Sequence, residues 1–191
     1  MRKRPSEREC RPPLSIARNR ERFPICALLD NIRSLYNVGA IFRVADGAGI
    51  RKLYLCGITG CPPDPEIEKT ALGATLSVFW EYHSDATRLV TNLKEEGWKI
   101  VALERTDCSI LYSAFPSDAF PVCIIVGNEV EGVGESLLEL CDMAIEIPQY
   151  GWKQSLNVAV AFGIAVYELV RKLKEERKCG NINHLGGAIM H

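Results

Sequence analysis

Five consecutive apolar residues, Val122 to Val126 (VCIIV), constrain the fold of this chain more than any other feature. A strand with one face in water alternates apolar and polar residues. A strand without alternation is covered on both faces, as in a parallel sheet flanked by helices. Other short runs suit the same sheet: Ile25 to Leu29, Lys52 to Cys56, Phe79 to His83, Lys99 to Leu103 and Ala144 to Ile147. Between them lie segments with helical character. Asn37 to Gly49 is apolar at 38, 41, 42, 45 and 48 and stops at a glycine. Ser84 can cap a helix running to Glu96, and Gly97 can end it. Short helices are expected over Glu66–Leu72 and Ser136–Cys141, and a long one from Ser155 to Lys174. Strands alternating with helices predict an α/β fold, a mostly parallel sheet with helices on both faces.

At 191 residues the chain is expected to hold one folded domain, residues 23–176. A basic flexible arm, residues 1–22, precedes it, and a Gly-rich tail, residues 177–191, follows. The arm carries eight Lys/Arg against three Glu, leaving the rest of a chain of net charge −1 at −6. A basic arm on an acidic body suits a nucleic acid, and a solvated tail explains the same residues. The longest apolar stretch, Val158 to Tyr167, is too short to suggest a membrane span. The N-terminus lacks the apolar core of a secretory signal, so a cytoplasmic location is expected. Eight cysteines occur without a C-x-x-C pair, so no metal site is expected. Cys56, Cys123 and Cys141 read as small buried hydrophobes.

In open α/β sheets ligands bind beyond the carboxyl ends of the strands. Three polar clusters lie there. The first, DNIRSLYNVGAIFRVADGAGI, holds Asp30, Asn31, Asn37, Gly39 and Arg43. Asn37 reads as an N-cap, and Gly39 as a point of close approach to a ligand or a neighbouring element. Arg43, among Ile41, Phe42 and Val44, calls for an anionic partner, a substrate or a structural salt bridge. The second, GNEVEGVGES, sets Asn128 and Glu129 among Gly127, Gly132 and Gly134. It is neither G-x-G-x-x-G nor a P-loop, which disfavours a nucleotide-dependent oxidoreductase. A plain Gly-rich turn is the competing reading. The third, PQYGWKQSLN, ends on Ser155 and Asn157. Ser155 reads as an ordinary N-cap, and Trp152 and Lys153 as contacts to base or ribose and to phosphate, or as a solvated face.

Taken together, N-I-R-S-L-Y-N-V-G-A-I-F-R-V-A, I-V-G-N-E-V-E-G-V and I-P-Q-Y-G-W-K-Q-S-L-N-V-A-V-A resemble the three motifs of the SpoU/TrmH family of the SPOUT superfamily. The resemblance runs from about Ala27 to Glu168. It departs from many relatives at Tyr36 and Gln149, neither assigned to catalysis. It implies a trefoil knot at the carboxyl side of the sheet, a homodimer, S-adenosylmethionine as cofactor and RNA as substrate. The reaction implied is methylation of a ribose 2′-hydroxyl, with transfer RNA favoured over ribosomal RNA. The alternative is an inactive RNA-binding protein of the same fold. The implied cofactor contacts are Leu103, Gly127, Ile147, Leu156 and Ser155, mostly through the main chain. The implied catalytic set is Arg43, Asn37, Glu129, Ser155 and Asn157. Because Arg stays protonated in proteins, Arg43 suits charge stabilisation better than proton abstraction. Glu129 is expected to orient Arg43 or a substrate amide, with Asn37, Ser155 and Asn157 fixing ribose and cofactor.

Overall fold

Every strand pairing in the sheet is parallel. The computed structural model describes residues 12–185, with side chains to residue 176. In chain order the elements are α1 (Leu14–Asn19), β1 (Phe23–Asp30), α2 (Leu35–Ala48), β2 (Ile50–Cys56), α3 (Pro65–Ala71) and β3 (Phe79–His83). Then follow α4 (Ala86–Glu95), β4 (Lys99–Leu103), β5 (Ile110–Leu111), β6 (Val122–Val126), α5 (Glu135–Leu138), β7 (Met143–Glu146) and α6 (Val158–Leu185). The sheet order is β3-β2-β1-β6-β4-β7-β5.

The two-residue period of the strands divides the core. Ile25, Ala27 and Leu29 of β1 and Val122, Ile124 and Val126 of β6 pack under α2 and α6, with Ile41, Phe42, Phe162 and Val166. Cys26, Leu28, Cys123 and Ile125 face the other way, under α4 and α5, with Leu89, Leu93 and Leu137. The pentapeptide of β6 is buried at all five positions, as expected for a strand covered on both faces. Burial pushes the Cys26 and Cys56 thiols up to about 12. They and Cys123 are packing groups, uncharged at neutral pH. Cys141 is only half-buried.

Helix starts differ from the sequence expectation where two candidate caps compete. Ser34, not Asn37, caps α2, its hydroxyl accepting from Asn37 N at 3.3 Å. Asp85, not Ser84, caps α4. The last helix begins at Val158, because Asn157 Oδ1 accepts from the N–H of Ala159 at 3.0 Å and of Val160 at 3.4 Å. Ser155 therefore lies in the preceding loop, and α6 continues past Lys174 to Leu185. Gly49 closes α2 in the left-handed conformation. Gly39 is forced by a neighbouring element: a Cβ there would sit 2.1 Å from the carbonyl oxygen of Ile67 in α3.

Residues 1–11 of the basic arm lie outside the described residues, as do residues 186–191 of the tail. Residues 14–19 form α1, and Arg18 Nε donates to Leu76 O at 2.7 Å. Arg22 donates to Ser77 O at 3.0 Å and pairs with Asp46 at 3.6 Å. Among the described residues no helix is long and apolar enough to cross a membrane, and no cluster of three His, Cys, Asp or Glu could hold a metal ion.

Candidate functional site

From β1 the chain builds outward through β2 and β3. It then adds β6, β4, β7 and β5 on the other side of β1. The reversal lies between β1 and β6, where an open α/β sheet offers a crevice at its carboxyl edge. The three polar clusters follow β1, β6 and β7, so all three emerge at that edge.

Glu129, in the loop after β6, reaches the start of α2. Its carboxylate accepts from Arg33 N and Ser34 N at 3.1 Å each, and from Asn37 Nδ2 at 2.9 Å. An acidic group at a helix N-terminus satisfies donors that have no partner within the helix and complements the helix dipole. Asn37 Oδ1 in turn accepts from Asn157 Nδ2 at 2.9 Å, and Asn157 caps α6. One chain of side chains, Glu129–Asn37–Asn157, thus ties together the exits of β6, β1 and β7.

Burial pushes the Glu129 carboxyl up, but the hydrogen bonds from Asn37, Arg33 and Ser34 outweigh it and hold the group below its ordinary value. A carboxylate depressed in the folded state contributes stability above its unfolded value. That contribution is lost as pH falls through the folded value. Glu129→Gln is therefore expected to melt at a lower temperature than wild type at neutral pH. The gap should close in acid, as wild-type Glu129 takes up its proton. Calorimetric melts of both proteins across this range test the assignment; a gap independent of pH would refute it.

The loop itself is held from several sides. Asn128 and Gly132 exchange main-chain hydrogen bonds of 2.9 Å. Asn128 Oδ1 accepts from Val130 N at 2.9 Å, and its Nδ2 donates to Asn31 O at 2.8 Å. Buried Asp30 accepts from Gly134 N at 3.2 Å and from Asn31 Nδ2 at 2.7 Å. Its burial raises the carboxyl's pKa, against the pull of those bonds. Glu104, which follows β4, accepts from Val133 N at 3.1 Å and Arg105 N at 3.0 Å. Sequence reasoning does not single out Glu104, which lies outside the three polar clusters. Its place directly after Leu103 was the available signal.

The structure brings Asn37, Glu129 and Asn157 into direct contact. Ser155 is exposed in the loop after β7, without a described side-chain bond to them. Arg43 is exposed on α2. Six residues at about 100° each put it roughly a third of a turn around the helix from Asn37. The described bonds of Glu129 go to the start of α2 and to Asn37. The implied cofactor residues follow three adjacent strands: Leu103 ends β4, Gly127 follows β6 and Ile147 follows β7. Leu103 and Ile147 are half-buried, Gly127 is buried, and Leu156 and Ser155 are exposed. A cleft of about 510 Å³ lies elsewhere, between the loops after β1, β2 and β6, lined by Asp30, Asn31, Arg33, Ile58 and Val130 among others.

A parallel sheet with helices on both faces, its polar side chains joined across the exits of β6, β1 and β7, defines an α/β protein. The chain belongs to the SpoU rRNA Methylase family, whose model matches residues 24–167. It is 33% identical over 147 residues to a tRNA (guanosine(18)-2'-O)-methyltransferase of Aquifex aeolicus, covering 77% of this chain and 69% of that one. It is 32% identical over 149 residues to the 23S rRNA (guanosine-2'-O-)-methyltransferase RlmB of Vibrio vulnificus, covering 78% and 60%. The chain thus spans about 60% of the length of that RlmB relative. The crystal structure of the SpoU methyltransferase AviRb from Streptomyces viridochromogenes, in complex with the cofactor AdoMet, superposes with a TM-score of 0.74. The identity is 25%, over 85% of this chain and 65% of that one.

Proposed function

We propose that this protein transfers a methyl group from S-adenosylmethionine to a ribose 2′-hydroxyl of RNA. The observation that carries the reading is the Glu129–Asn37–Asn157 chain, which holds three motif-bearing loops in one arrangement. Relatives named for methylating tRNA and 23S rRNA support the substrate class.

The residues present fit the cofactor. Half-buried Leu103 and Ile147, with Leu156, offer apolar surface to an adenine. Among the described residues, the main chain from 148 to 156 makes no backbone hydrogen bond, leaving its N–H and C=O groups for a ligand. Bound there, S-adenosylmethionine supplies a methyl group on a cationic sulfur. The protein's task is then to align a ribose oxygen with that methyl and to stabilise the negative charge that grows on the oxygen as its proton leaves. Arg43 binds the adjoining phosphate and stabilises that charge. The phosphate or a water takes the proton. Glu129 fixes Asn37 and the start of α2, the helix that carries Arg43. Asn157 and Ser155 orient ribose and cofactor.

The reading includes a trefoil knot. Its support is the path of the chain: it leaves β7, yet α6 starts beside Asn37 at the exit of β1, across the two intervening strands β4 and β6. It also includes a homodimer in the cytoplasm. Val160, Ile164 and Tyr167 leave an exposed apolar stripe on α6, at i, i+4 and i+7. Sedimentation is expected to show a dimer at micromolar concentration, and Val160→Glu with Ile164→Glu a folded monomer. A wild-type monomer would refute the assembly.

The function is tested by incubating the protein with labelled S-adenosylmethionine and total RNA, then mapping 2′-O-methyl nucleotides in the tRNA and rRNA fractions. Label at a defined ribose is expected. Cofactor binding without transfer to either fraction would instead support an inactive RNA-binding protein.

A further inference from the structure

The loop between β7 and α6 carries two large aromatic side chains into solvent: Tyr150 is 94% exposed and Trp152 88%. Neither belongs to either hydrophobic core, so packing does not account for them. Cations accompany them. Lys153 Nζ stands 5.0 Å from the centroid of the Trp152 ring. Arg105, after β4, donates to Gln154 Oε1 at 3.0 Å, which brings a second cation to the same loop. The loop ends at Asn157, which is bonded to Asn37. The aromatic pair therefore stands a few residues from the groups assigned to the ribose.

We propose that Tyr150 and Trp152 form a stacking platform for unpaired RNA bases, with Lys153 and Arg105 contacting the phosphates between them. This rests on the RNA methyltransferase reading and narrows its substrate to an unstacked, single-stranded stretch. Aromatic faces interleaved with cations suit single strands, because every base offers a π-face only once it leaves the helical stack. A duplex keeps its base faces covered and presents only grooves and phosphates. A second copy of this chain is a poorer occupant. Lys153 and Arg105 give this loop two cations, whereas the stripe of Val160, Ile164 and Tyr167 on α6 is apolar.

The test uses the full chain with two probes, an oligouridylate and a self-complementary RNA duplex of equal length. Tryptophan fluorescence is read together with steady-state methyl transfer to the mapped substrate. Oligouridylate is expected to quench the fluorescence of wild type but not of Trp152→Ala, and the duplex to compete weakly. Trp152→Ala is expected to raise KM for RNA between about 5- and 150-fold, the range that loss of one base stack allows. Its kcat should move far less, and Trp152→Phe should recover most of the loss. Cofactor affinity is expected to change far less than KM in both variants, because the cofactor contacts proposed for residues 148–156 are main-chain groups that a side-chain substitution leaves in place. Three results overturn the platform: an unchanged KM in Trp152→Ala, a matching loss of cofactor affinity, or dissociation of a wild-type dimer by the same substitution. If wild type transfers no methyl group to any RNA, the parent reading fails, and oligouridylate quenching still decides the platform on its own.

Discussion

Arg43→Ala is expected to slow single-turnover methyl transfer on the order of 10²-fold or more while leaving cofactor affinity and melting temperature close to wild type. The split follows from position. Arg43 is exposed on α2, so truncation removes little packing. The proposed cofactor residues sit on other elements, after β4, β6 and β7. Arg43→Lys should recover little, since an ammonium cannot reproduce the planar fork of guanidinium donors. An arginine with a purely structural role would behave otherwise: Ala would lower stability and weaken cofactor and RNA binding together. Near-normal turnover in a folded Arg43→Ala protein would move the catalytic assignment to Glu129, Ser155 and Asn157.

Gly127→Ala is expected to damage the site through the backbone. An added Cβ would lie 2.1 Å from Gly132 C and 2.2 Å from both Gly132 O and Val133 N. All three are main-chain atoms, so no rotamer change relieves the clash. Relief requires parting the Asn128–Gly132 bridge, and with it the Val133 N–H bond to Glu104 and the reach of Glu129 to α2. Overpacking of this kind costs about 1–3 kcal/mol or more. Cofactor dissociation constants should rise by at least about 10-fold, equivalent to about 1.4 kcal/mol. Gly151→Ala is the control: its Cβ would meet nothing within 4 Å, so the melting temperature should not move. Calorimetry on both variants separates the two cases, and normal cofactor affinity in Gly127→Ala would refute the coupling.

Much of this architecture was legible in local patterning. Phe79–His83, Lys99–Leu103 and Val122–Val126 are the observed strands to the residue; the latter two are specified by their buried apolar runs, and the exposed edge strand Phe79–His83 by its β-prone aromatic residues. Short elements were not legible. β5 spans two residues and α1 six, too few to show a period. Helix starts slipped where two polar residues stood close together. Ser155 and Asn157 can each cap a helix, and the choice of Asn157 goes with its bond to Asn37, 120 residues away.

The site divides along the same line. Motif residues on three strand exits could be named from the sequence, together with the family they resemble. Their mutual contacts could not. Gly39 shows the difference. Its lack of a side chain signalled a close approach, but only the packed structure identifies the neighbour as the Ile67 carbonyl of α3 rather than a ligand. Glu129 shows it again. The sequence places a carboxylate after β6 without saying whether it faces Arg43, a substrate or a helix end. In the fold it accepts from the N–H groups of Arg33 and Ser34, just ahead of α2, and from Asn37. Side-chain pattern along a chain reports which groups are buried and which turns are tight, because these depend on neighbours a few residues away. Which polar groups meet across 90 to 120 residues depends on the order of strands in the sheet. β6, late in sequence, lies beside β1, and that pairing alone carries Glu129 to the helix that follows β1.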